Sequence, residues 1–204
     1  MSVITAGNSS YQGFLRKFYS SNRAASRAST RSTIGNAELL SADSKALKKI
    51  SKNLQELTYD KDNGEEIYQN IKAFVETYNN LLDNSGKITD APLERNMKKL
   101  KNFIKDNEEV LEEIGIKVSS SRKLTLDKED LLKCTPKKIG KVFSDSNDIS
   151  SNLILLTTKL ERMAKPLMQT ESRIRNQREQ QNASMADLPV TTSTMSSTKI
   201  DFMA

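Results

Sequence analysis

Ile114-Gly115-Ile116-Lys117-Val118-Ser119-Ser120-Ser121-Arg122-Lys123-Leu124-Thr125-Leu126-Asp127 is the stretch that decides the fold. Everything before it repeats apolar residues at helical spacing. Here the period drops to two: Gly115-Ile116-Lys117-Val118 alternates, Ser119 to Arg122 is turn-like, and Lys123-Leu124-Thr125-Leu126 alternates again. The pattern predicts a short β-hairpin set among helices. A lone hairpin is marginal in water, so Ile116, Val118, Leu124 and Leu126 are expected to dock on them.

Working outward, Asp127 is placed to cap a short helix holding Leu131 and Leu132, and Pro136 opens another that ends near Phe143. Upstream, Ile67, Ile71, Phe74, Val75, Tyr78 and Leu82 make one wide apolar face over about 65–83. Asn84-Ser85-Gly86 stops that helix, with Gly86 expected in the left-handed conformation common after a helix end. Asp90 and Pro92 then start a third helix, carrying Leu93, Met97, Leu100, Ile104 and Leu111. Asp106-Asn107 offers a break within it.

Two narrower seams flank this middle. Over 36–57, Leu40, Leu47, Ile50, Leu54 and Leu57 occupy seven-residue a and d positions, with Asp43 the polar exception. From Asp145 or Asp148 onward, Ile149, Leu153, Leu156, Leu160, Met163 and Leu167 repeat at four and three, with Pro166 expected to kink the helix. Such seams seek a partner helix. Leu47, Ile50, Leu54, Leu153, Leu156 and Leu160 are therefore the candidate partner-helix seam, in the same or a neighbouring subunit.

Charge divides the chain unevenly. Its 204 residues carry a net charge of +6, but residues 1–37 hold Arg16, Lys17, Arg23, Arg27 and Arg31 with no acid, leaving 27 bases against 26 acids elsewhere. Residues 1–35 therefore read as a flexible basic arm, able to form a short helix through Tyr11, Phe14, Leu15 and Phe18. Its Arg- and Ser-rich, acid-free composition also suits a transit peptide, an anionic-lipid or nucleic-acid contact, or an export signal. Residues 36–180 read as the helical bundle with its hairpin near 115–126, and residues 181–204 as a disordered tail.

Composition narrows the function classes. With no histidine, Ser-His-Asp and Cys-His nucleophilic chemistry and histidine metal sites fall away. Cys134 is the one cysteine, which leaves no intrachain disulfide. The Asp60–Gly64 turn places glycine wrongly for a calcium loop. The carboxylates Glu65, Glu66, Glu108 and Glu109 read as solvated helix faces. No apolar run approaches the ~20 residues that span a bilayer, and no compact apolar core marks a Sec signal peptide. The expected fold class is mainly α: an elongated helical bundle or coiled coil with one small β-hairpin and disordered termini. No enzyme activity and no cofactor are expected.

Four words in order resemble the flagellar filament-cap protein family, also called hook-associated protein 2, in its C-terminal helical portion. Phe74-Val75-Glu76-Thr77-Tyr78-Asn79-Asn80-Leu81 is similar to the family's F-V-x-x-Y-N-x-L helix. Ala91-Pro92-Leu93 through Leu100 is similar to the short helix that follows it. Ile114-Gly115-Ile116 with Lys123-Leu124-Thr125-Leu126-Asp127 and Leu131-Leu132 looks like its I-G-I … G-x-L-x-L-D hairpin and helix, with Arg122 or Lys123 where the family has glycine. Pro136 through Val142-Phe143 is similar to its P-x-x-V-x-x-L-F segment. The resemblance covers about 67–143; only 59–64 separates the first two helices, leaving no room for the family's outer domains.

The resemblance implies a non-enzymatic axial protein, exported without a cleaved signal. It would pack against flagellin-like or other flagellar axial subunits, or against further copies of itself as a homo-oligomer. No nucleic acid is expected as a partner. Two other readings stand beside it: a cytoplasmic helical adaptor or export chaperone for flagellar subunits, and a nucleic-acid or membrane-surface binder working through the basic arm.

Overall fold

The structure is a computed structural model and describes residues 4–144 and 148–186. In chain order the helices are α1 (Ile4–Phe18), α2 (Ala28–Arg31), α3 (Asn36–Glu56), α4 (Gly64–Ser85), α5 (Ala91–Asp106) and α6 (Glu108–Glu112). The hairpin strands β1 (Ile116–Val118) and β2 (Leu124–Leu126) follow, then α7 (Lys128–Lys133), α8 (Pro136–Phe143) and α9 (Asp148–Ala186). A short 3-10 helix, Arg23–Ser26, lies between α1 and α2. The fold class is as the sequence reads: helical, with one small antiparallel hairpin.

The helix boundaries follow from local chemistry. The Asp90 carboxylate accepts from the Leu93 N–H at 2.7 Å and opens α5, with Pro92 in its first turn. Asn107 separates α5 from α6. Asp127 accepts from the N–H groups of Glu129 and Asp130, both at 3.1 Å, and opens α7. Each cap satisfies donors that the first helical turn leaves without an intrahelical partner. At the end of α4, Gly86 is right-handed (φ −66°), not left-handed as expected. The Gly86, Lys87 and Ile88 N–H groups instead reach back to Leu82, Asn84 and Ser85 in a tightened turn.

The centre of the molecule is α3, which lies against α9 and α4, with α1 and α8 also touching it. Helix α9 runs antiparallel to α3: Gln55 meets Ser151, Lys48 meets Glu161, and the Ala37 N–H meets Glu171. Leu40, Leu47, Ile50 and Leu54 from α3 and Leu153 and Leu160 from α9 are completely buried. Helix α4 adds Ile71, Phe74, Tyr78 and Leu81 to the same core, and α5 adds Leu93, Met97, Leu100 and Ile104. The core is one contiguous cluster reaching from Tyr11 to Ala164.

The hairpin pairs Ile116 with Leu126, Lys117 with Thr125 and Val118 with Leu124. Ile116 and Leu124 are buried, and Val118 and Leu126 pack on the core's edge, so all four dock as expected. Gly115 enters the hairpin at φ +81°. A Cβ there would lie 2.9 Å from the Leu131 nitrogen and 3.0 Å from the Asp127 carbonyl oxygen, so the close approach of α7 requires glycine.

Candidate interaction surfaces

The partner-helix seam closes inside the chain. Leu47, Ile50 and Leu54 face Leu153 and Leu160 across the α3–α9 interface, and Leu156 is half-buried at its edge. These six residues are thereby spent on the monomer's own core. They offer no docking stripe to a neighbouring subunit, because exposing them would remove the largest helix contact in the fold. Among large apolar side chains, Leu155 on α9 and Leu132 on α7 remain 60% exposed.

The basic arm is not the flexible segment its composition predicts. From Tyr11 onward it is folded onto the bundle: Tyr11, Leu15, Phe18 and Tyr19 are buried, and Phe14 packs edge-to-face on Phe18. The Tyr11 hydroxyl donates to Glu76 on α4 at 2.7 Å, and Lys72 sits 4.0 Å from the Tyr11 ring centroid. Burial, reinforced by the Glu76 carboxylate, pushes the Tyr11 hydroxyl's pKa far above its ordinary range. Composition alone masked this, because Arg and Ser dominate the count while four aromatic or apolar side chains do the packing.

The five basic residues share no face. Arg31 is drawn inward, where its guanidinium grips Asp43 with two bonds, at 2.9 and 2.6 Å. The Tyr19 hydroxyl donates to the same carboxylate at 2.9 Å, and Arg31 also donates to the Ala25 carbonyl at 2.7 Å. Asp43, the polar exception of the α3 seam, is thus completely buried but fully partnered. Burial drives its carboxyl above the ordinary value, outweighing the opposing pull of Arg31 and Tyr19. Arg16 is half-buried, and Lys17, Arg23 and Arg27 are exposed, with Lys17 over the Phe14 ring.

Nothing matches this chain among family models, curated proteins or solved structures. Among the described residues no group of three or more Cys, Asp and Glu side chains is placed to hold a metal, and no helix is long and apolar enough to cross a membrane. Cys134 is a half-buried free thiol whose Sγ lies 3.2 Å from the Glu113 carbonyl oxygen. It edges a groove of about 370 Å³ with Ile67, Tyr68, Leu131, Leu132 and Ile139.

Two further features concern α9. Helix α9 is 39 residues long against 21 for α3, roughly 58 Å against 31 Å. Its stretch 172–183 is exposed throughout, with Ile174 on its surface. Where the two helices last meet, the Glu171 carboxylate accepts from the Ala37 N–H at 3.0 Å and caps α3 from outside, as Gly35 has no side chain to do so. The run of mostly polar residues on 165–183 carries no period that would reveal this cap, which depends on antiparallel register.

Proposed function

We propose that this chain is a non-enzymatic structural or assembly protein of the bacterial flagellum, similar to the filament-cap and hook-associated proteins, that is exported from the cell. The observation that carries the reading is where its four family-like words sit. Asn79 of the first word holds β2, and Phe74 meets Phe143 of the last word edge-to-face at 5.6 Å. Gly115 and Asp127 of the hairpin word form its entry and exit, joined by the Asp127 N–H to the Gly115 carbonyl at 2.8 Å. Pro136 occupies the first turn of α8. Three of the four words, scattered over 67–143, thus touch one another, which supports reading them as one structural unit.

In this reading flagellar axial subunits are contacted by surfaces outside the closed α3–α9 seam, with the exposed end of α9 the longest of them. The closure of that seam also favours a second reading, a cytoplasmic helical adaptor or export chaperone that binds flagellar subunits without polymerising.

The test is localisation with an antiserum to the whole chain, applied to sheared filaments, medium and cells of the host bacterium. Signal in filaments or medium supports an exported flagellar part. Signal confined to cells, with motility unchanged in a deletion strain, overturns it; confinement to cells with lost motility selects the adaptor.

A further inference from the structure

Asn63-Gly64 is the one Asn-Gly pair in the chain, and it lies where the 57–63 turn enters α4. An asparagine at a helix start is ordinarily held by capping, its side-chain oxygen accepting from the second or third N–H. Asn63 does not cap. Its side chain accepts nothing from α4, and its amide nitrogen makes one long bond, 3.3 Å to the Thr58 carbonyl. Its own N–H is tied to the Asp60 carboxylate at 3.0 Å, which places the residue in the turn without engaging its amide.

Gly64 is equally unrestrained. It opens α4, so its N–H has no acceptor within the helix, and none outside it among the described residues. A Cβ built at Gly64 meets nothing within 4 Å, so no neighbour obstructs its nitrogen. The peptide between the two residues is fixed by the Asn63 carbonyl, which accepts from the Ile67 N–H at 2.9 Å. Turning the Gly64 nitrogen toward the Asn63 Cγ breaks that bond alone, at a helix end, where local opening is easiest. Asn70 is the contrast. It is completely buried, its amide is bonded to Glu66 and Asn53, and β-branched Ile71 follows it.

From this juxtaposition we infer that Asn63 is a self-modifying site, converting without an enzyme to aspartate and isoaspartate. The Gly64 nitrogen attacks the Asn63 Cγ and forms a C–N bond that closes a cyclic imide. The Cγ–Nδ2 bond breaks, and the proton lost by Gly64 passes through solvent to the leaving group, which departs as ammonia. Water then opens the imide at either carbonyl. Opening at Cγ gives aspartate; opening at the main-chain carbonyl gives isoaspartate, with the chain continuing through the former side chain. The products act oppositely on α4. A carboxylate at 63 suits a helix N-terminus, whereas isoaspartate takes the carbonyl that Ile67 bonds out of the main chain. Lys61 and Gly64 line the groove beside Cys134, so isoaspartate also reshapes that wall. The inference owes nothing to the flagellar reading and survives its failure.

The test is to hold the folded full chain warm at mildly alkaline pH and map it over time by mass spectrometry. The tryptic peptide 62–72 carries both Asn63 and Asn70, so Asn70 serves as the internal standard. The expected result is the amide-to-acid mass gain at Asn63 and not at Asn70, in peptides that separate into aspartate and isoaspartate forms. That pair of products is the signature of the imide. Gly64→Ala fits the open space and removes a helix-weakening glycine, so the fold is kept. It should slow conversion about tenfold, because a Cβ crowds the attacking nitrogen and narrows its backbone freedom. An Asn63 that stays intact in the folded chain overturns the proposal, whether or not urea releases it. So does aspartate formed without isoaspartate, or an unchanged rate in Gly64→Ala.

Discussion

The side-chain amide of Asn79 makes both hydrogen bonds that the peptide groups of Leu124 have to offer: its nitrogen donates to the Leu124 carbonyl at 2.8 Å, and its oxygen accepts from the Leu124 N–H at 2.9 Å. The hairpin's register explains why they are free. Ser119 bonds Lys123 and Gly115 bonds Asp127 across the ladder, so Leu124, opposite Val118, points its N–H and C=O outward. Asn79 acts as a one-residue substitute for a third strand and closes the sheet edge against α4.

Replacing Asn79 with alanine should therefore cost about 2–3 kcal/mol, because it leaves a buried peptide's donor and acceptor without partners. Chemical denaturation gives the loss. Amide hydrogen exchange should show its origin, with the Leu124 N–H losing protection far more than amides in α3. Equal loss of protection everywhere would mean that the pair is not a local clamp.

The Arg31–Asp43–Tyr19 cluster predicts strong non-additivity between single and double variants. Asp43→Leu or Arg31→Met alone strands a buried charge and should destabilise the fold by about 3–5 kcal/mol. The double variant removes both charges and should recover most of that loss, since burial works against the Asp43 carboxylate from the start. A double-mutant cycle by urea denaturation measures it. Additive losses would show that the two side chains do not act as a pair.

Two backbone positions of the hairpin should respond in opposite directions. Gly115→Ala forces a Cβ to within 2.9 Å of backbone at φ +81° and should cost about 2–4 kcal/mol. Arg122→Gly relieves a left-handed side-chain-bearing residue and should stabilise by up to about 1 kcal/mol. Paired melting curves of the two variants decide both.

Across the α3–α9 interface, Lys48 and Glu161 form an ion pair at 2.5 Å. Burial is the largest single influence and disfavours the charged carboxylate, but the Lys48 hydrogen bond and the charges of Lys48, Lys45 and Lys165 together outweigh it and hold the Glu161 carboxyl below its usual value. A depressed acid stabilises the fold above its unfolded pKa, and that contribution disappears as pH falls through the lower folded value. Because the pair is largely solvated, the coupling should be about 0.5 kcal/mol at neutral pH and should vanish in acid. Lys48→Met, Glu161→Gln and their double variant, melted at neutral and acidic pH, test the sign.

How much of this was legible in the sequence varies by element. The helices of the middle were legible because Ile67, Ile71, Phe74 and Tyr78 repeat at the spacing of one helical face, and the hairpin because Ile116 and Leu124 announce a change of period. The caps at Asp90 and Asp127 were legible because a cap acts on the two or three residues beside it. The basic arm misled because its charges outnumber its anchors. Tyr11, Leu15 and Phe18 form a helical face wherever they are, but whether that face meets water or α4 is not a local property.

The sequence by itself determined the helices and the hairpin of 36–143, since propensity, period and capping act over a few residues. Only the tertiary structure decided what each face meets. It turned the α3 and α9 seams toward each other, gave buried Asp43 its Arg31, and brought Glu171 to cap α3. Each of these joins residues far apart in the chain, through contacts that exist only after helices pack, and no local pattern records who the neighbour will be.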